Sequence, residues 1–372
     1  MKNLKYFLGG IFLACSFMTS SAQEVPFRTT VYDMNYDGSR FYRIPALITV
    51  GDGVVVAVAD RRGDKLGDLP NNISIVCRRS LDNGTTWSEP IYIVKGKGEG
   101  KGYGDPCVIY DRETKKLLCF YAGGPGLWAS TNSTPNAVYM SESLDNGLTW
   151  STPKNITNAV YSSKWYGAFA GSGNGLQLKD GRLMFVVAAR LTHVWGGELT
   201  NYAVYSDDHG QTWHLSAPVY GPGDEAKVVE LKNGDVMMSI RNPQKGYRKF
   251  SISKDRGETW SMPYLNKDLM DPACNGDIVK VQKSSNILLQ SLPASESIRK
   301  NVTVYASFDN GTTWSRKKQI SNGFSAYSTI TVLPNGQIGM LVEEGKWDAN
   351  LPGEDGFVID FVRFDLDWLT GK

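Results

Sequence analysis

Residues 80–87 read SLDNGTTW, and close variants return as SLDNGLTW (143–150), SDDHGQTW (206–213), SKDRGETW (253–260) and SFDNGTTW (307–314). Ahead of each box stands a second recurring unit, two apolar runs joined by a turn. Its copies are RIPALITV-GDG-VVVAVADRR, DPCVIYDRETKKLLCFYAGG, GSGNGLQL-KDG-RLMFVVAAR, EAKVVEL-KNG-DVMMSIRN and NGDIVKVQKSSNILLQSLP, and a sixth, AYSTITVL-PNG-QIGMLVEEG, follows the last box. Asp-Gly and Asn-Gly between β-branched runs mark hairpins, because a tight primed turn needs positive φ. No amphipathic helical stretch of useful length interrupts them. Six such hairpins, each with outer strands ending near a box, predict an all-β fold, a six-bladed β-propeller with four strands per blade. The last unit has no box, and FVIDFVRFDLDWL (357–369) reads as its closing strand.

The box itself reads as scaffold. Its Asp accepts hydrogen bonds from its own turn, its Gly takes a conformation other residues resist, and its Trp offers an apolar face to bury between blades. Five copies spread round a ring cannot meet at one point.

The opening MKNLKYFLGGIFLACSFMTSSAQE combines Lys2 and Lys5, an apolar stretch and small residues before Gln23, which predicts a secretory signal over residues 1–22 cleaved after Ala22. A retained anchor and lipid attachment at Cys15 are the alternatives. Residues 23–372 then form one propeller domain, exported to the periplasm or the exterior. Of 40 basic residues two leave with the signal, so 40 − 2 = 38 face 38 acidic ones. A mature charge near zero without basic runs argues against nucleic acid or an anionic membrane as partner. Cys77, Cys107, Cys119 and Cys274 form no CxxC pair and only three histidines exist, which argues against a structural zinc site. Disulfides and buried thiols both remain open for them. No metal, cofactor or partner protein is implied, and the chain reads as a monomer.

Strand arithmetic locates the chemistry. In each inner hairpin the turn marks one end, and the first residue in and the last residue out share the other. That rim collects Arg43 with Arg61 and Arg62, Glu225 with Arg241, and Tyr327 with Glu343; Arg299 comes shortly after the fifth hairpin, and Asp105 opens the second. Several guanidinium forks converging on one place suit a carboxylate, which they hold bidentately. The implied ligand is an acid.

These residues resemble the bacterial exo-α-sialidases with Asp-box repeats, over essentially the whole chain after the signal. Tyr42-Arg43-Ile44-Pro45 is similar to that family's Phe/Tyr-Arg-Ile-Pro motif, whose arginine is the first of three that bind the sialic acid carboxylate. The resemblance makes Arg241 and Arg299 the other two, Glu343 the brace of Arg43 (with Glu344 as competitor), Tyr327 the nucleophile and Glu225 its base. It makes Asp68 the acid/base residue, with Asp64 as competitor, and Arg62 a further arginine near the sugar's C4 hydroxyl. Trp128 reads either as a wall for the N-acetyl methyl group or as packing, and Asp105 as a partner for the amide or a ring hydroxyl. His193 and Trp195 receive no role. The implied substrates are sialylated glycans. A relative that transfers sialic acid, releases an anhydro product or prefers the deaminated sugar remains open, as does a non-catalytic binding propeller. That last reading requires rim residues that do not form a set.

Overall fold

The computed structural model describes residues 26–63, 65–281, 286–345 and 356–371. Six sheets, antiparallel apart from one two-residue parallel pairing, are arranged as the blades of a propeller. From inner to outer strand, blade 1 holds Tyr42–Thr49, Val55–Arg61, Ser74–Ser80 and Ile91–Val94, with Arg43 opposite Asp60. Blade 2 holds Tyr103–Asp111, Lys116–Gly123, Ala137–Ser143 and Lys154–Asn155, and blade 4 holds Ala226–Glu230, Val236–Ile240, Gly246–Ser253 and Tyr264–Asp271. Blade 5 runs from Asp277–Lys280 through Leu288–Pro293 and Val302–Ser307 to Arg316–Gln319. The apolar residues of the strands pack between neighbouring blades, as where Phe120 of blade 2 stacks on Phe185 of blade 3 at 4.3 Å between centroids. Each fully buried large side chain contributes roughly 1.5–3 kcal/mol.

Every box occupies the turn between a third and a fourth strand. In the first, the Ser80 hydroxyl donates to Asp82 at 2.8 Å and accepts from the Gly84 amide at 2.8 Å. Asp82 in turn accepts from the Thr86 amide at 2.8 Å and hydroxyl at 2.7 Å. The same bonds recur around Asp145, Asp208, Asp255 and Asp309. Gly84 is required twice over: its φ is +84°, and a Cβ there would lie 2.1 Å from the ring of Phe361. Trp87 meets that same ring edge-on at 5.3 Å, so a box of blade 1 packs on blade 6.

Two expectations need correction. Phe357–Phe364 is the third strand of blade 6, after Ser325–Val332 and Ile338–Gly345, and the outermost strand is Phe27–Tyr32 from the other end of the chain. The last four residues of that stretch, Leu366 to Leu369, belong instead to a short helix, Leu366–Thr370. A seam of this kind leaves no local sequence signal, because the pairing residues lie a whole chain apart. The first strand of the third hairpin is also not continuous. Blade 3 begins with Gly167–Ala170, continues after an interruption with Leu176–Gln177 and completes itself with Leu183–Arg190, Leu199–Ser206 and His214–Leu215. Between the two inner pieces, Gly173–Asn174 crosses to pair in parallel with Cys107 and Val108 of blade 2. There Asn174 Nδ2 lies within hydrogen-bond distance of Leu47 O, Asp277 Oδ2, Thr329 Oγ1 and Ile330 O, so one side chain joins blades 1, 5 and 6 across the axis.

Cys77, Cys107, Cys119 and Cys274 are buried free thiols. The expected signal over residues 1–22, Cys15 and Asp64 lie outside the described residues.

Candidate active site

The site is built where inner strands enter the ring. Arg43 and Ile44 open the inner strand of blade 1 at a register irregularity, and Ile44 has a φ of +57°. A β-branched residue there is strained, and such strain persists only where its surroundings over-determine it. Glu343 supplies the restraint. Wholly buried, it accepts from Arg43 Nε at 3.1 Å and Nη2 at 2.8 Å, from the Ile44 amide at 2.9 Å and from the Tyr327 amide at 3.1 Å. Glu344 is not the brace: its side chain takes Arg28 at 2.7 Å and Ser321 at 2.6 Å. Neighbours along a strand face opposite sides, which separates the two glutamates.

Tyr327 is 6% exposed and sits among three guanidinium groups. Arg43 lies 5.1 Å and Arg299 5.4 Å from its ring centroid, and Arg241 Nη1 is 3.1 Å from its hydroxyl. Arg299 is aimed by a bond from Nη2 to the Ala273 carbonyl at 3.1 Å. The phenol donates to Glu225 Oε2 at 2.8 Å, and Arg241 donates to the same oxygen at 2.6 Å while pairing with Asp224 at 3.3 Å. Burial, and then the neighbouring Glu225 charge, push the phenol well above its ordinary pKa, so it is neutral at rest. Burial works against ionised Glu225 too, but Arg241 and then Lys227 hold its carboxyl below the usual value.

Asp68 stands across the cavity with its side chain 71% exposed, 2.7 Å from Arg62 Nη2. Arg62 is the main cause holding that carboxyl below its ordinary value. The same guanidinium pairs with Asp60 at 2.8 Å, and burial pushes Asp60 up to about 7. Asp105, with a φ of +60°, donates its amide to Asp60 at 3.2 Å. Burial and then Asp60 drive its own carboxyl well above the ordinary range.

Tyr327, Glu225, Arg241, Asp68, Asp105 and Trp128 line one cavity of about 200 Å³. Arg43 and Arg299 flank the phenol, Glu343 lies beneath Arg43, and Arg62 holds Asp68, so the rim residues singled out in the sequence reach one place except Arg61, which turns away to Asp37 at 3.5 Å and lies over the Tyr92 ring. Trp128 is fixed by Arg190, which donates to its carbonyl at 2.6 Å, and it faces the indole of Trp195 at 6.2 Å. Sequence reading missed Asp60, Asp224, Ser172, Lys227 and Asn275. Asp60 was within reach, being the cross-strand partner of Arg43. Ser172 was not, because the excursion that carries it looks like an ordinary hairpin strand.

A family model for the BNR repeat-like domain matches residues 69–340. The sialidase of Micromonospora viridifaciens is 34% identical over 354 residues, 90% of this chain and 53% of that protein. The sialidase of Clostridium perfringens is 30% identical over 293 residues, 73% of this chain and 76% of its own length. The chain belongs to the sialidase family. Among solved structures, a Hadza microbial sialidase superposes with a TM-score of 0.82 at 28% identity, covering 92% of this family member and 69% of that chain. The chain spans about half the length of its Micromonospora relative.

Proposed function

We propose that this sialidase-family chain is an exported, retaining exo-α-sialidase that removes terminal sialic acids from glycans. The observation that carries this reading is the bond from the Tyr327 hydroxyl to Glu225 at 2.8 Å in the midst of three guanidinium groups. Arg43, Arg241 and Arg299 bind the substrate carboxylate and fix the sugar with its anomeric carbon over the phenol. That carbon bears the carboxylate, so an anionic nucleophile would approach against like charge, whereas a neutral phenol does not. Most glycosidases use two carboxylates, and sialidases depart from this with a tyrosine nucleophile.

In the first step the O–H bond of Tyr327 breaks, its proton passes to Glu225 Oε2 and its oxygen bonds to the anomeric carbon. The glycosidic C–O bond breaks at the same time, and the leaving oxygen takes a proton from Asp68. In the second step Asp68 removes a proton from water, whose oxygen attacks the anomeric carbon from the face the glycosidic oxygen left, opposite Tyr327; the bond to Tyr327 breaks and the phenol recovers its proton from Glu225. The anomeric configuration is retained. The cavity beside Trp128 and Asp105 takes the N-acetyl side of the sugar.

Hydrolysis of a fluorogenic α-ketoside of N-acetylneuraminic acid, by wild type and by Tyr327→Phe, tests this reading. Wild type should release fluorophore and free sugar, and the folded variant should lose about 10³-fold or more of that activity. A folded but inert wild type would mean a binding site, and an active Tyr327→Phe would remove the nucleophile.

A further inference from the structure

Beneath Glu225 a column of buried polar groups continues down the propeller axis. Lys227 stands in the inner strand of blade 4, two residues beyond Glu225, which immediately precedes that strand, so the two side chains lie on the same side of the chain, and Lys227 is 1% exposed. Among the described residues no carboxylate pairs with its ammonium. The nearby Asp277 already takes Ile278 N at 2.9 Å, Thr329 Oγ1 and Ile330 N at 2.8 Å and Asn174 Nδ2 at 3.1 Å. Lys227 Nζ instead donates to Asn275 Oδ1 at 2.9 Å. Asn275 Nδ2 donates to the Ser172 hydroxyl at 3.0 Å and to its carbonyl at 3.0 Å. The Ser172 hydroxyl then donates to Glu225 Oε1 at 2.9 Å. Room for the ammonium stem exists because residue 173 is glycine, at φ +114°; a Cβ there would lie 2.6 Å from Lys227 Cε.

An ammonium only donates. Its bond therefore orients the Asn275 amide with oxygen toward Lys227 and nitrogen toward Ser172. Ser172, accepting from that nitrogen, must turn its own proton to Glu225. Oxygen Oε1 of Glu225 can then only accept, and Oε2 alone is left for the proton of Tyr327. We infer that Lys227 is a positioning residue that, through Asn275 and Ser172, sets the direction of every hydrogen bond beneath Glu225 and keeps that carboxylate poised to take the Tyr327 proton. The inference rests on Glu225 acting as the base of Tyr327. Other charged or titratable groups face this column: Arg241, Asp224 and Tyr327 around Glu225, Arg299, Asp105 and Cys274 farther from it, and Asp277, Cys107 and Arg248 around Lys227.

The test compares pH profiles of kcat/KM, with kcat and KM separately, for wild type, Lys227→Met, Ser172→Ala and Glu225→Gln on the fluorogenic sialoside. Lys227→Met should move the acid limb up by about one unit, because the ionised base loses a buried cation. It should also lower kcat about tenfold or more with little change in KM. Ser172→Ala keeps the cation but cuts the chain, and should move the limb the same way by less. Either variant, folded, with an unmoved acid limb and wild-type kcat overturns the inference, and Ser172→Ala decides alone if Lys227→Met does not fold. An active Glu225→Gln would instead remove the base and the proposed function's first step with it.

Discussion

Asp68 and Glu225 are carboxylates of one cavity with different surroundings, and both are held below the ordinary carboxyl range at rest. That suits a base but not an acid. The proton that the proposed mechanism takes from Asp68 is therefore scarce at neutral pH, and activity on natural sialosides should fall as pH rises out of the acid range. Asp68→Ala should lose about 10²–10⁴-fold on a sialyl-sugar, whose leaving alkoxide needs protonation, and far less on the fluorogenic phenol ether. Equal losses on both substrates, measured side by side, would take the acid role away from Asp68. Much of this site was legible in sequence, because hairpin arithmetic aligns residues at equal distance from a turn. Arg43, Glu225, Arg241, Tyr327 and Glu343 were found that way and do meet. What arithmetic could not supply was the choice between Glu343 and Glu344, which turns on the facing of one residue within an irregular strand.

At the scale of the element, the five boxes are turn locks, and their aspartates carry a pH signature. Burial works to raise Asp208, but the Thr212 hydroxyl and amide, with Ser206 and Gln211, pull it down to about 2. A carboxyl lowered in the fold from about 3.9 in the open chain adds stability that is present above pH 4 and lost as pH falls toward 2. The stability difference between wild type and Asp208→Asn should therefore shrink between pH 4 and pH 2 in urea unfolding; a difference independent of pH would show that the lock holds without its charge. The contribution of each lock is small, since the carboxylates are solvent-screened. The repeat made these turns and six hairpins readable. It concealed the break in the third hairpin, where a glycine-rich stretch that reads as a hairpin strand instead lets the chain cross to the neighbouring blade and deliver Ser172 and Asn174 to the axis.

For the whole molecule, closure is the governing event. Phe27–Tyr32 pairs with Phe357–Phe364, and Arg28 adds ion pairs to Glu344 at 2.7 Å and Asp360 at 2.9 Å. Removing residues through Tyr32 should leave blade 6 with an open edge, lower the unfolding temperature in calorimetry and promote aggregation, and a peptide of residues 26–33 should restore the transition. An unchanged transition would mean that the inner strands close the ring unaided. The same join lies under the chemistry, because the bond between Arg43 and Glu343 also runs from the first blade to the last. A growing chain thus carries Arg43 for most of its synthesis before the partner that fixes it is made. Until then Arg43 and the strained Ile44 lack the carboxylate they share with the Tyr327 amide, so no fragment short of the final blade can hold this cavity complete. The pocket is all or nothing, finished only when the last blade closes on the first.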